Sequence, residues 1–193
     1  MPLLVLPIRP AEYLQQGLSH CGAFAVKAIL SACGKDDGRA PQMYHPGFLG
    51  RATGFSPPDT WVKLFRSHGL LVKRRSAVNL SPAERLELLK RLLNENNVVM
   101  LRIGNGYLDN GGYSSLRGQL IGHWVTLWGY DDTLQVFYTY DPRVKRERWD
   151  RSLPAGNIAR SYDATLRDWH GALFLWPWRY LYIRVQLPSQ VSK

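Results

Sequence analysis

The sequence has little of what would settle its class at once. Only two of its 193 residues are cysteines, Cys21 and Cys33. On one helix they would stand roughly 18 Å apart, well beyond the about 7 Å that a disulfide can span. No disulfide framework is expected. With no CxxC pair and no His/Cys cluster, no structural zinc site is expected either, and nothing calls for a cofactor. No apolar run approaches the about 18 residues of a transmembrane helix. The start, MPLLVLPIRP, lacks the basic and apolar regions of a signal peptide. The expected location is the cytoplasm, or the exterior by a leaderless route. Internal repeats and low-complexity tracts are missing too.

Acidic residues are outnumbered. Asp and Glu total 15 against 25 Lys and Arg, a net charge of +10. Such a charge attracts acidic partners: nucleic acid, anionic lipid or an acidic peptide. The basic residues are spread out, however. The densest run, RVKRERWDR at 143–151, is interrupted by acids and reads as a solvated face. Nucleic acid is therefore disfavoured as a partner. A composition 45% hydrophobic and 21% charged is that of an ordinary globular protein. Seven Trp and ten Tyr suggest a well-filled core and an aromatic-lined groove.

Periodicity organises the chain into one domain over 1–193, with a helical lobe at about 12–95 and a sheet lobe at about 96–187. Phe24, Ala25, Ala28, Ile29 and Ala32 mark a helix over 21–33, stopped by Gly34. A Gly- and Pro-rich loop follows, with one turn near Met43. Trp61, Leu64, Phe65 and His68 mark a second helix over 58–68, and LLVKRRS reads as a short strand. Ser81, Pro82 and Glu84 form a capping box for a third helix, with Leu86, Leu89, Leu92 and Leu93 on its buried face. VVMLRI (98–103) is a strand buried on both faces. The glycine-rich stretch 104–122 is too long for a hairpin turn and reads as a functional loop. Strands are expected at 123–130, 134–141 and 147–152, then a short helix in SYDATLRDWHG and two aromatic strands within 172–185. Helices early and sheet late indicate an α+β fold with an antiparallel sheet.

Cys21 is the residue that asks for a function. The bland reading is a small core side chain. Yet a cysteine at a helix start faces unpaired N–H groups and the positive end of the helix dipole, which favour the reactive thiolate. A nucleophilic cysteine needs a base, and the base needs an orienting group. Of His20, His45, His68, His123 and His170, only His123 has an acid in prospect. If Asp131, Asp132 and Thr133 form the turn, Tyr130 pairs with Leu134, Trp128 with Val136 and Thr126 with Tyr138. His123 then lies opposite Asp141 on one face. A one-residue slip would separate them. Trp124 and Trp128 would point to the other face and belong to the core. Acyl transfer also needs donors for the developing oxyanion. The Cys21 N–H is one, and the side-chain amide of Gln15 or Gln16 could be another.

Gln15, five residues, then Cys-Gly opening a helix, then GHWVTLWGYDD and YDP, together resemble the papain-like cysteine peptidases. The pattern is most similar to the bacteriocin-processing, double-glycine-leader branch and its stand-alone relatives. The resemblance implies a papain-like fold, with a helical N-terminal half packed on an antiparallel sheet. It also implies Cys21 as nucleophile, His123 as general base and acid, Asp141 as orienting acid and Gln15 as oxyanion donor. The implied substrate is a peptide or protein, with acidic ones among the candidates. His20 stands where an acidic residue is common in the family, and no transporter segments accompany the motif.

Two other activities fit the same residues. The thioester could pass to an amine, making an acyltransferase or transpeptidase. Alternatively, the chain could be a basic module binding nucleic acid or membrane, without catalysis.

Overall fold

A computed structural model describes residues 2–108, 112–172 and 177–188. Among these described residues, six α-helices accompany a seven-stranded antiparallel sheet. The strands are β1 (Leu3–Val5), β2 (Val72–Ser76), β3 (Asn97–Gly104), β4 (Gly122–Asp131), β5 (Val136–Tyr140), β6 (Ile158–Ser161) and β7 (Leu181–Gln186). The helices are α1 (Cys21–Ala32), α2 (Gly47–Thr53), α3 (Pro58–Ser67), α4 (Pro82–Asn94), α5 (Ser115–Leu120) and α6 (Tyr162–Asp168). The sheet order is β2-β7-β3-β4-β5-β6, with β1 pairing the far end of β4. This is the α+β, antiparallel architecture expected from the sequence.

The helices form where local signals are strongest. α4 starts on the complete capping box: the Glu84 N–H donates to Ser81 Oγ, and the Ser81 N–H donates to Glu84 Oε2 at 2.8 Å. Its buried residues are Leu88, Leu89, Leu92 and Leu93, so Leu88 takes the place expected for Leu86. α1 is buried on nearly every side, and its alanines let neighbours approach closely. β3 is buried along its whole length, as its unbroken apolar run requires. It lies at the centre of the sheet, between β4 and β7.

Several expectations fail. Residues 147–152 make no strand; Arg146–Arg148 form a 3₁₀ turn, and the strand comes later, as β6. The 104–122 loop contains α5, and the loop before α3 contains α2. Of the two strands expected within 172–185, β7 is present, while 173–176 lie outside the described residues. Among the described residues no helix is long and apolar enough to cross a membrane.

Candidate active site

Cys21 is the first residue of α1 and is partly exposed. The residue before it, His20, has φ 75°, a left-handed conformation that is costly for a residue with a Cβ. Packing imposes it. Gly54 fits so closely that an added Cβ would lie 2.5 Å from the His20 nitrogen. The His20 ring packs edge-on against His45, and His45 packs against Trp61. Trp61 in turn lies on Gly22, where a Cβ would come within 2.7 Å of its ring. A left-handed residue turns the chain sharply into α1 and presents Cys21 at the helix mouth. His45, Trp61 and Gly54 therefore shape the site, although no sequence motif announced them.

The hairpin brings His123 and Asp141 together by a route the sequence did not reveal. Its turn spans 132–135, with Gln135 at φ 55°. Asp131 pairs with Val136, Tyr130 with Phe137 and Gly129 with Tyr138. The expected pairs, including His123 directly opposite Asp141, do not form. Instead a bulge shifts the register between Leu127 and Gly129, so that Leu127 pairs with Thr139 and Thr126 with Tyr140. One further step sets Asp141 beside Val125, on the face of His123. Without the bulge Asp141 would fall beside Thr126, on the other face. The extra residue thus brings the two side chains to one face. His123 Nε2 and Asp141 Oδ1 are 2.7 Å apart, and both residues are buried.

Asp141 is itself held on several sides. Its N–H donates to Asn157 Oδ1 at 2.8 Å, and Asn157 Nδ2 donates back to its carbonyl at 2.9 Å. The Arg143 N–H donates to Asp141 Oδ1 at 2.9 Å. Burial alone would raise the carboxyl pKa. The charge and hydrogen bond of His123, the Arg160 guanidinium and the Arg143 N–H together take it below its ordinary value.

The same balance governs the other two members. Burial disfavours a charged imidazole, but Asp141 and Cys21 outweigh it and push the His123 pKa up to about 10. Burial disfavours a thiolate, but the charge and hydrogen bonding of His123, with the N–H groups of Trp124 and Gly22, bring the Cys21 pKa down. Near the other end of α1, burial outweighs the charge of Lys35 and pushes the Cys33 thiol up to about 11. Both shifts run in the direction of a thiolate–imidazolium pair, the form of cysteine that attacks electrophiles.

The two glutamines separate clearly. Gln15 is exposed, and its Oε1 accepts from the Arg146 N–H at 3.0 Å. Gln16 is 5% exposed and lines the cleft that holds Cys21 and His123. The Gln16 N–H donates to the Pro142 carbonyl at 2.8 Å, which ties this turn of chain to the segment after Asp141. Gln16 Oε1 is buried with no hydrogen-bond partner among the described residues. So the structure places Gln16, one residue along from the position chosen by family spacing, in the cleft with Cys21. Trp124 and Trp128 are buried, as core residues should be.

The cleft has a volume of about 200 Å³ and is rimmed by Leu18, Phe55, Asn105, Ile121 and Arg143. A larger cavity of about 560 Å³ lies near Arg85, Tyr113, His170 and Tyr180, and neither Cys21 nor His123 lines it. Arg102 of β3 is buried with its guanidinium over the Trp178 ring. Burial pulls its pKa down to about 10, opposed by the charge of Cys21. No group of His, Cys, Asp and Glu among the described residues could hold a metal ion.

No family model matches the chain. No curated protein matches it either. Among solved structures, it is similar to a double-glycine-motif protease from an AMS/PCAT transporter, determined in complex with the leader peptide. The TM-score is 0.51 at 16% identity, and the match covers 97% of this chain and all of that one. At that identity the likeness is one of fold, and the chain has a papain-like α+β fold.

Proposed function

We propose that the protein is a cysteine peptidase that hydrolyses a peptide or isopeptide bond through a thioester. One observation carries this reading: a buried 2.7 Å His123–Asp141 pair set against a cysteine at a helix start. A core cysteine has no use for either. The fold shared with a protease supports the reading, and that neighbour's leader peptide makes a peptide the natural substrate class.

In this mechanism the Cys21 thiolate attacks the scissile carbonyl carbon and a C–S bond forms. The oxyanion is held by the Cys21 N–H, which has no intrahelical acceptor at the helix start, and by the Gln16 side-chain amide. We assign this role to Gln16 rather than Gln15, because Gln16 lines the cleft and Gln15 serves Arg146. The His123 imidazolium, oriented by Asp141, gives its proton to the leaving nitrogen as the C–N bond breaks. His123 then takes a proton from water, the hydroxide attacks the thioester, and Cys21 leaves as thiolate.

The test is a Cys21→Ala variant against mixed peptide substrates. Loss of cleavage and of the acyl-enzyme is expected, and unchanged cleavage would end the peptidase reading. An acyltransferase would use the same residues up to the thioester. Added amine would then yield an amide product in place of the free acid.

A further inference from the structure

The cross-strand partners of β2 raise a question of charge. Lys73 of β2 lies directly opposite Arg184 of β7, and Arg75 lies directly opposite Tyr182. Like charges that face each other across a ladder are destabilising. Arg91 of α4 joins them, and Lys73, Arg75, Arg91 and Arg184 together line one pocket of about 470 Å³. Glu95, its single acid, pairs with Arg184 at 3.3 Å. Lys73, Arg75 and Arg91 have no acid partner among the described residues. Every residue of the wall lies within the described segments. None of them lines the Cys21 cleft.

Charges on an edge strand ordinarily keep that edge from pairing with another chain. Such a purpose accounts for Lys73 and Arg75, because β2 ends the sheet. It does not account for Arg184, since β7 is flanked by β2 and β3, or for Arg91, which is on a helix. The four cations come from three elements and converge on Tyr182. Burial raises the pKa of that phenol, against the charges of Arg184, Arg75 and Arg91, so its hydroxyl remains a donor. Leu88, Leu92 and Tyr182 are buried and give the pocket an apolar base. Charges of one sign over low-dielectric walls focus their field into the hollow.

We propose that this pocket binds a small molecule carrying at least two phosphate groups. Four cations against one acid leave a surplus of three positive charges, more than a single carboxylate answers. A guanidinium fork fits phosphate oxygens bidentately. Three such forks, an ammonium and a phenol hydroxyl line this hollow. Its volume falls within the range of small-molecule sites, roughly 300–1,000 Å³. A nucleic acid strand would spread its phosphates beyond one hollow, whereas these cations are gathered between α4 and the β2–β7 ladder. Free phosphates and those of a lipid headgroup share this chemistry. The site is separate from the Cys21 cleft and needs nothing from the peptidase reading.

The experiment titrates the full chain with inorganic pyrophosphate by calorimetry at constant ionic strength, with sulfate and succinate as comparison anions. Pyrophosphate is expected to bind about tenfold tighter than either, or better. Lys73 and Arg91 are exposed, so Lys73→Gln and Arg91→Gln should fold, and each should weaken pyrophosphate binding about tenfold to hundredfold. Arg66→Gln removes the same charge from an exposed position outside the pocket and should change the affinity by no more than about twofold. Without ligand, Lys73→Gln should melt no lower than the wild type, because it relieves the like-charge pair with Arg184. With pyrophosphate the wild type should melt higher, and the variant should lose that gain. Vesicles of phosphatidylcholine doped with phosphatidylinositol bisphosphate separate the two sources. Sedimentation with them that pyrophosphate reverses assigns the phosphates to a lipid headgroup, and pyrophosphate binding without sedimentation assigns a free ligand. Equal affinity for all three anions, or an Arg66→Gln loss as large as that of Lys73→Gln, shows a diffuse counterion effect and overturns the proposal. A lower melting temperature for ligand-free Lys73→Gln also overturns it, since the cation would then be compensated already. So does an oligouridylate that binds tighter than pyrophosphate. Binding is read without turnover, so a Cys21→Ala chain that still binds pyrophosphate keeps this inference apart from the fate of the peptidase reading.

Discussion

Replacing Gln16 by alanine should slow acylation while leaving the thiolate intact. The side chain is 5% exposed and lines the cleft with Cys21, with its carbonyl oxygen unclaimed among the described residues. If it is one of two oxyanion donors, its loss removes about 3–4 kcal/mol from the transition state, or roughly a hundredfold to a thousandfold in rate. Gln15→Ala removes only an exposed hydrogen bond to the Arg146 N–H, worth about 1 kcal/mol of stability. Two reactions of the same sulfur separate the possibilities. Acylation by an activated ester builds an oxyanion, whereas alkylation by iodoacetamide does not. For Gln16→Ala, acylation should fall by the factor above and alkylation should stay within about twofold. For Gln15→Ala, both should stay near wild type. A large acylation loss in Gln15→Ala with none in Gln16→Ala would refute the assignment. Equal losses of acylation and alkylation in Gln16→Ala would show a collapsed cleft instead.

Other outcomes follow from the same geometry. Asp141→Asn truncates a buried charge pair, a change that costs about 3–5 kcal/mol in comparable settings; the pH profile of Cys21 alkylation should move toward that of an ordinary thiol, and an unmoved profile would remove Asp141 from the account. Because the Asp141 pKa is depressed, its contribution to stability is present above the ordinary carboxyl value of 3.8 and lost as the pH falls through the lower native value. Melting curves of the wild type should therefore weaken in acid, with a flatter acid limb in Asp141→Asn. Gly54→Ala adds a Cβ at φ 73° and 2.5 Å from the His20 nitrogen; it should displace His20 and reduce acylation by tenfold or more, an order-of-magnitude expectation for a misplaced nucleophile. Full activity in that variant would show that the left-handed turn before Cys21 is dispensable.

What the sequence disclosed was local. The capping box of α4 and the apolar stripes of α1 and α3 concern residues within a few positions of one another, and those helices stand within a residue or two of their expected ends. The identities of Cys21, His123 and Asp141 also stood out, because reactive residues at element ends are visible as types. The pairing of His123 with Asp141 on one face was expected, but the register that produces it was not visible. The bulge near Trp128 depends on β1, β3 and β5 meeting one strand, and no local pattern encodes it. The choice between Gln15 and Gln16 is a rotation of one residue, decided by the distant contacts of Tyr140 with the Leu14 carbonyl and of Gln16 with Pro142. Asn157 and His45 carried no signal, since each acts through packing and hydrogen bonds formed only in the fold. The strand expected at 147–152 is replaced by the 3₁₀ turn Arg146–Arg148 and irregular chain after it, with the strand itself displaced to Ile158–Ser161.

The central claim is that Cys21 is a tuned nucleophile and Cys33 is not. Mass-spectrometric mapping of iodoacetamide labelling against pH tests it most directly. Cys21 should react as a thiolate below the ordinary thiol range, and Cys33, with its pKa pushed up to about 11, should stay unlabelled until the solution is strongly alkaline. Equal labelling of the two, with one common profile near that of a free thiol, would contradict the account.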